Sequence, residues 1–348
     1  MARRRGDTHR LIRWLWTSRR LDARLARVAL LPIAGMWRTW TTVRTLAYRR
    51  GWLPVVDLPL PSVAVGNLTV GGSGKTPIAM WIARYYADRG FVPGILLRGY
   101  GGGDEARVHA RSLPAAHVVA DPDRIAGAER ALARGAQVLV LDDAYQRLDL
   151  RRDLNILVVS AETLRAVRWP LPAGPWREGL AEARRADCIV VTRKRASREV
   201  ADTLAADLRG QATCPVAIAH LGLARLEGLL SARPVPPTAL AGRRVVAASA
   251  IADPEAFVTQ TKATGAAVQV ATWKDHHQYR QEDVAWLAHA ARRADHVVIT
   301  EKDAVKLREQ WPADAPEPLV AVLDLIWEEG GDAIAVALDA VVTSAEGL

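Results

Sequence analysis

The chain has 348 residues, half of them apolar and 24% charged. That length and aliphatic content allow a sizeable core, favour two domains and exclude a disordered or fibrous chain. Two cysteines, Cys188 and Cys214, exclude a disulfide framework and a CxxC metal site, and no apolar run reaches the ~18 residues a spanning helix needs.

The net charge of +9 is unevenly placed. Residues 1–50 hold 13 Arg, no Lys and two acids, Asp7 and Asp22, so the rest of the chain is close to neutral. No nucleic-acid partner is expected, because a binding groove would need basic stripes elsewhere too. The same segment contains Trp14, Trp16, Trp37 and Trp40 and an uncharged run from Val28 to Trp37. Arginine beside tryptophan and leucine suits a helix lying in a membrane interface, with charges at the headgroups and rings at the boundary. A helix packed on the body with a solvated arginine face is the competing reading. Residues 1–54 are therefore expected to form a basic, apolar, membrane-associating helical segment.

A strand-like stretch, Pro61 to Val65, leads into a glycine-rich loop and then a helical pattern with Ile78, Trp81, Ile82 and Tyr85 on one face. The loop reads Thr69, Val70, Gly71, Gly72, Ser73, Gly74, Lys75, Thr76. Strand, glycine-rich loop ending in Gly-Lys-Thr, then helix is the setting of a P-loop. Amides from Gly71 to Gly74 and the helix N-terminus can cradle phosphate oxygens. Lys75 would reach the β and γ phosphates, and the Thr76 hydroxyl would ligate Mg²⁺. The first glycine of the usual pattern is Thr69 here. A second apolar strand, Val138 to Leu141, delivers Asp142 and Asp143 to a sheet edge, so one of these acids is expected on the metal side.

Further strands are expected at 92–97, 154–159, 188–192 and 215–219, with helices such as 124–133 and 198–208 between them. Alternation of this kind predicts an α/β fold, a P-loop-type parallel sheet covered on both faces. The proline-rich stretch Ala232 to Thr238 reads as a linker. Strands resume at 245–249, 267–272, 296–300 and 319–323. The expected division is a P-loop kinase core over 55–235 and a smaller α/β domain over 236–348.

Taken together, these motifs resemble the tetraacyldisaccharide 4′-kinase (lipid A 4′-kinase) family. The resemblance rests on Ser62 to Pro77, Leu97 to Gly101, Gly103-Asp104-Glu105, Asp123-Arg124, Asp142 to Arg147, Leu171 to Glu178, Asp275-His276-His277 and Thr300 to Leu307. It implies transfer of the ATP γ-phosphate, with Mg²⁺, to the 4′-hydroxyl of a tetraacylated glucosamine disaccharide 1-phosphate. It also implies a peripheral protein, expected as a monomer, on the cytoplasmic face of the inner membrane. By the same resemblance Lys75 and Thr76 contact phosphate and Mg²⁺, and Asp142 and Asp143 are the Walker B acids. Asp104 is then the catalytic carboxylate, His276 its assisting histidine, with His277 as an open alternative. Arg124 and Arg177 neutralise phosphate charge. A sugar hydroxyl needs such a carboxylate to accept its proton as the bond to phosphorus forms.

The chain departs from the family pattern in a short connection from Gly101 to Asp104, in Leu97, and in the Ala144, Tyr145 and Arg147 of the second acidic motif. Two other functions fit a P-loop. One is a membrane-associated ATPase switch, which would often carry a second lysine where Val70 stands. The other is a degenerate nucleotide-binding scaffold, against which the intact Lys75, Thr76 and both acids count. For Thr300 to Asp303, a site edge and ion pairing within the fold are both open.

Overall fold

The computed structural model describes residues 11–12, 14–99, 104–162, 168–251, 253–275 and 277–346, and only the backbone of Asp104, Glu105, Ala345 and Glu346. After helical residues at 11–12 and 14–17 come α1 (Leu21–Ala29) and α2 (Leu31–Arg49), with Pro32 in the first turn of α2. A proline there loses no hydrogen bond, because the first amides of a helix have no internal partner. The chain continues through β1 (Ser62–Gly66), α3 (Lys75–Ala87), β2 (Pro93–Leu97), α4 (Asp104–Ser112), β3 (His117–Ala120), α5 (Arg124–Ala133), β4 (Val138–Asp142), β5 (Leu154–Ser160) and β6 (Cys188–Arg193). After it come α6 (Arg198–Arg209), β7 (Val216–Gly228), β8 (Pro234–Val235), β9 (Arg244–Ser249), α7 (Pro254–Ala263) and β10 (Ala267–Thr272). The last elements are α8 (Gln281–Arg293), β11 (His296–Thr300), α9 (Glu301–Leu307), β12 (Leu319–Glu329) and α10 (Gly331–Glu346).

The described strands join in one twelve-stranded sheet, ordered β10-β9-β11-β12-β7-β6-β5-β1-β4-β2-β3, with β8 beside β7. Pairing is parallel except where β7 meets β12 and β8. Alternate residues of each central strand enter different cores. Val63 and Val65 of β1 and Val140 of β4 pack with Ile78 and Ile82 of α3 and Leu338 of α10. Ala64, Leu139 and Leu141 pack on the other face with Ala128 and Ala131 of α5. Burial on both faces is why these strands read as unbroken apolar runs.

The helix at 124–133 falls where expected, started by Asp123, whose carboxylate accepts the amides of Ile125 and Ala126. Strands β7 and β12 run well past the expected 219 and 323, because each pairs with the other over most of its length. Edge strand β3, with polar His117, was not anticipated. The proline-rich stretch is pinned to the sheet rather than spanning freely: Val235 pairs with Leu226, and Leu240 is buried behind it. Strands from both sides of residue 235 share the sheet, and α10 returns to the first half, where Tyr86 Oη donates to Leu338 O at 2.9 Å.

In α1 and α2 the buried residues are Ala23, Arg27, Ala34 and Thr45. Trp16 Nε1 donates to Pro172 O at 3.0 Å, Trp37 Nε1 to Arg177 O at 2.9 Å, and Arg44 to Gln146 O at 3.1 Å. Outward they present Leu25, Val28, Ile33, Met36 and Trp40. No helix among the described residues is long and apolar enough to cross a membrane.

Candidate active site

The loop between β1 and α3 lies at the C-terminal edge of the sheet, with β4 and β5 on either side of β1. Open parallel sheets bind ligands at this edge. Gly74 has φ +88°, and a Cβ there would sit 2.5 Å from Leu221 Cδ1, so only glycine fits. Gly66 has no room either: a Cβ would lie 2.5 Å from Tyr145 Cβ, where the chain after Asp143 passes β1.

Side chains outside the glycine pattern hold the loop. Asn67 Nδ2 donates to Thr69 O and to Ser73 Oγ, both at 2.8 Å. Thr192 Oγ1 donates to Ser73 O at 2.7 Å, and Lys194 Nζ to Gly72 O at 3.0 Å. Glu162 Oε1 accepts the amides of Lys194, Arg195 and Ala196, and with Ser160 these bonds hold its carboxyl down at about 2 against the upward push of burial. At the loop's start the Val70 amide donates to Pro175 O, and Thr69 bridges Trp176. The main chain of Thr69 and Val70 therefore faces the 170–178 segment, Gly71 to Gly74 form the turn itself, and Lys75 and Thr76 open α3.

The residues expected for phosphate and metal converge. Lys75 Nζ lies 3.6 Å from Asp143 Oδ1, and Arg177 Nη1 donates to the same carboxylate at 3.1 Å. Asp143 adopts φ +54°. Thr76 Oγ1 donates to Asp142 Oδ2 at 3.2 Å, while Asp142 Oδ1 is buried with no partner among the described residues. Burial pushes the Asp142 carboxyl up, but His109, Lys75 and Thr76 together outweigh it and hold it below the ordinary value. Arg124 is 1% exposed and donates to Asp142 O at 2.8 Å. Its burial lowers the guanidinium to about 10, despite the attraction of Asp142.

Asp104 is the first residue of α4. His276 lies outside the described residues. His277 is committed elsewhere: Nε2 is 2.8 Å from Asp283 Oδ2, and the ring stacks on Trp273. Thr300 to Asp303 turn out to bind within the fold. Fully buried Asp303 accepts the Tyr279 hydroxyl at 3.0 Å, the Thr300 hydroxyl at 2.6 Å and the Ala250 amide at 3.1 Å. This tethers the chain at Tyr279.

Sequence reasoning passed over Asn67, Thr192, Lys194 and His109. Asn67 stood inside the Ser62 to Pro77 stretch without a role. The other three are distant in sequence and carried no local signal.

Comparisons with known proteins agree with this geometry. The family model described as tetraacyldisaccharide-1-P 4′-kinase matches residues 26–341. The tetraacyldisaccharide 4′-kinase of Aromatoleum aromaticum is 36% identical over 321 residues, covering 87% of this chain and 90% of that protein. That of Anaeromyxobacter sp. (strain K) is 36% identical over 351 residues, covering 92% of each. A crystal structure of LpxK from Aquifex aeolicus in complex with ATP superposes with a TM-score of 0.72 at 28% identity, over 91% of this chain and 99% of that one. With a P-loop, paired acids and flanking arginines assembled at one sheet edge, and with these matches spanning most of its length, the chain belongs to the tetraacyldisaccharide-1-phosphate 4′-kinase family.

Proposed function

We propose that the chain phosphorylates the 4′-hydroxyl of a tetraacyl disaccharide 1-phosphate at the expense of ATP, giving lipid IVA. The observation that carries this reading is the convergence of Lys75, Thr76, Asp142, Asp143 and Arg177 around the glycine loop in a chain of this family. The triphosphate would lie along Gly71 to Thr76, where Lys75 exchanges Asp143 for phosphate oxygens. Arg177 shares that carboxylate and stands ready to neutralise phosphate charge, and Arg124 holds the Asp142 main chain from beneath.

Mg²⁺ suits the donors present. Among the described residues no group of three or more His, Cys, Asp or Glu could hold a metal alone. Asp142 Oδ1, which has no partner among the described residues, and the Thr76 hydroxyl, bonded to the same carboxylate, are instead the sparse oxygen set that Mg²⁺ completes with phosphate and water. Thr76 and Asp142 would hold the ion, with Asp143 alongside. Bound there, Mg²⁺ neutralises charge on the phosphates.

Asp104 is the proposed base, at the start of α4, with His276 orienting it. The commitment of His277 to Asp283 favours His276 over its neighbour. The headgroup would enter between the core of residues 55–235 and the part from 236 on, its acyl chains staying in lipid. The outward apolar side chains of α1 and α2, with the arginine-rich segment 1–54, support a peripheral seat on the cytoplasmic face of the inner membrane. One copy of the chain supplies every group named, so a monomer suffices. The test is incubation with Mg²⁺, γ-labelled ATP and tetraacyl disaccharide 1-phosphate in detergent. Label on the lipid is expected from wild type and absent with Lys75→Ala. ATP turnover without lipid labelling would overturn the reading.

A further inference from the structure

Helix α4 places a histidine where an apolar residue would pack at lower cost. His109 is completely buried, and neither ring nitrogen has a hydrogen-bond partner among the described residues. A buried imidazole left unsatisfied is unfavourable, so space-filling alone does not account for it. Its Nε2 stands 3.7 Å from Asp142 Oδ2, the oxygen that also accepts the Thr76 hydroxyl. That distance exceeds a hydrogen bond but lies within reach of a small ring shift. The other carboxylate oxygen, Oδ1, has no partner among the described residues.

We propose that His109 is a positioning residue for the metal-side carboxylate: it holds Asp142 Oδ2 and thereby presents Oδ1 to Mg²⁺ or its water. The contact also fixes α4 against the metal site. Asp104 begins the same helix five residues earlier, about 7.5 Å along its axis. At the far end Ser112 Oγ donates to Glu301 Oε1 at 3.3 Å, so the helix is anchored at its middle and its end. The inference rests on the reading of Asp142 as the metal-side carboxylate.

The test measures binding of a fluorescent ATP analogue to the full chain, in EDTA and across a MgCl₂ titration, with lipid phosphorylation followed in parallel. His109→Leu is expected to bind the analogue in EDTA as wild type does. It is expected to need about tenfold more Mg²⁺ for half-maximal enhancement of binding, the scale of losing a group that orients a metal ligand. His109→Gln, whose amide nitrogen reaches about as far as Nε2, is expected to recover most of that loss. His109→Asn, polar but shorter, is not, and it replaces the leucine variant should that one fail to fold. Wild-type Mg²⁺ dependence in a folded Leu or Asn variant overturns the proposal. Should Asp142→Asn also keep that dependence, the metal-side reading falls with it. Should Asp142→Asn lose it while the His109 variants keep it, the role of His109 alone is wrong.

Discussion

Gly74 and Gly72 stand two residues apart in the phosphate loop and answer to different constraints. Gly74 combines a left-handed φ with no room for a Cβ, while Gly72 meets nothing nearer than the flexible end of Lys194, at 3.6 Å. Gly74→Ala is therefore expected to cost roughly 1–3 kcal/mol by urea denaturation. Gly72→Ala is expected to stay within about 0.5 kcal/mol, and equal losses at the two sites would contradict this account. Glu162 makes a second residue-scale prediction. Its carboxyl sits near 2 in the folded protein against 4.5 ordinarily, so the ionised form stabilises the fold above the unfolded value. That contribution fades as pH falls from about 4.5 towards 2. The melting-temperature deficit of Glu162→Gln should be widest at neutral pH and narrow on acidification; a deficit that grows in acid would refute the assignment.

Helices α1 and α2 link the proposed membrane surface to the site. Trp37 of α2 holds the main chain of Arg177, and Trp16, ahead of α1, holds that of Pro172, so the 170–178 segment carries both contacts and the arginine beside Asp143. Among their exposed side chains are the apolar Met36, 72% exposed, and Trp40, 62% exposed. Met36→Glu with Trp40→Glu is expected to weaken binding to anionic vesicles at least ~10-fold in co-sedimentation, while melting temperature changes little. Unchanged vesicle binding would assign that face another role. Trp37→Ala is expected instead to lower lipid phosphorylation even in detergent, because it frees the Arg177 segment. Wild-type turnover in that variant would show that the contact is only structural.

Across the whole molecule, legibility follows locality. Strands buried on both faces, such as 138–142 and 296–300, announce themselves as apolar runs. The outer halves of β7 and β12 do not, because their pairing partner lies about a hundred residues away and one face is partly exposed. The run from Gly71 to Thr76 was readable because its parts are contiguous. His109 was not: within a helix it is one more residue on the inward face, and only the fold brings it to Asp142. Lys194 and Thr192 reach the loop in the same way, from the end of β6.

In the proposed reaction a carboxylate at the head of α4 takes the proton from a sugar hydroxyl while the glycine loop grips ATP. Asp104→Ala tests it directly, with nucleotide affinity and transfer of label to the glycolipid measured on the same preparation. ATP binding is expected within about twofold of wild type and transfer reduced at least ~100-fold. Undiminished transfer by that variant would contradict it.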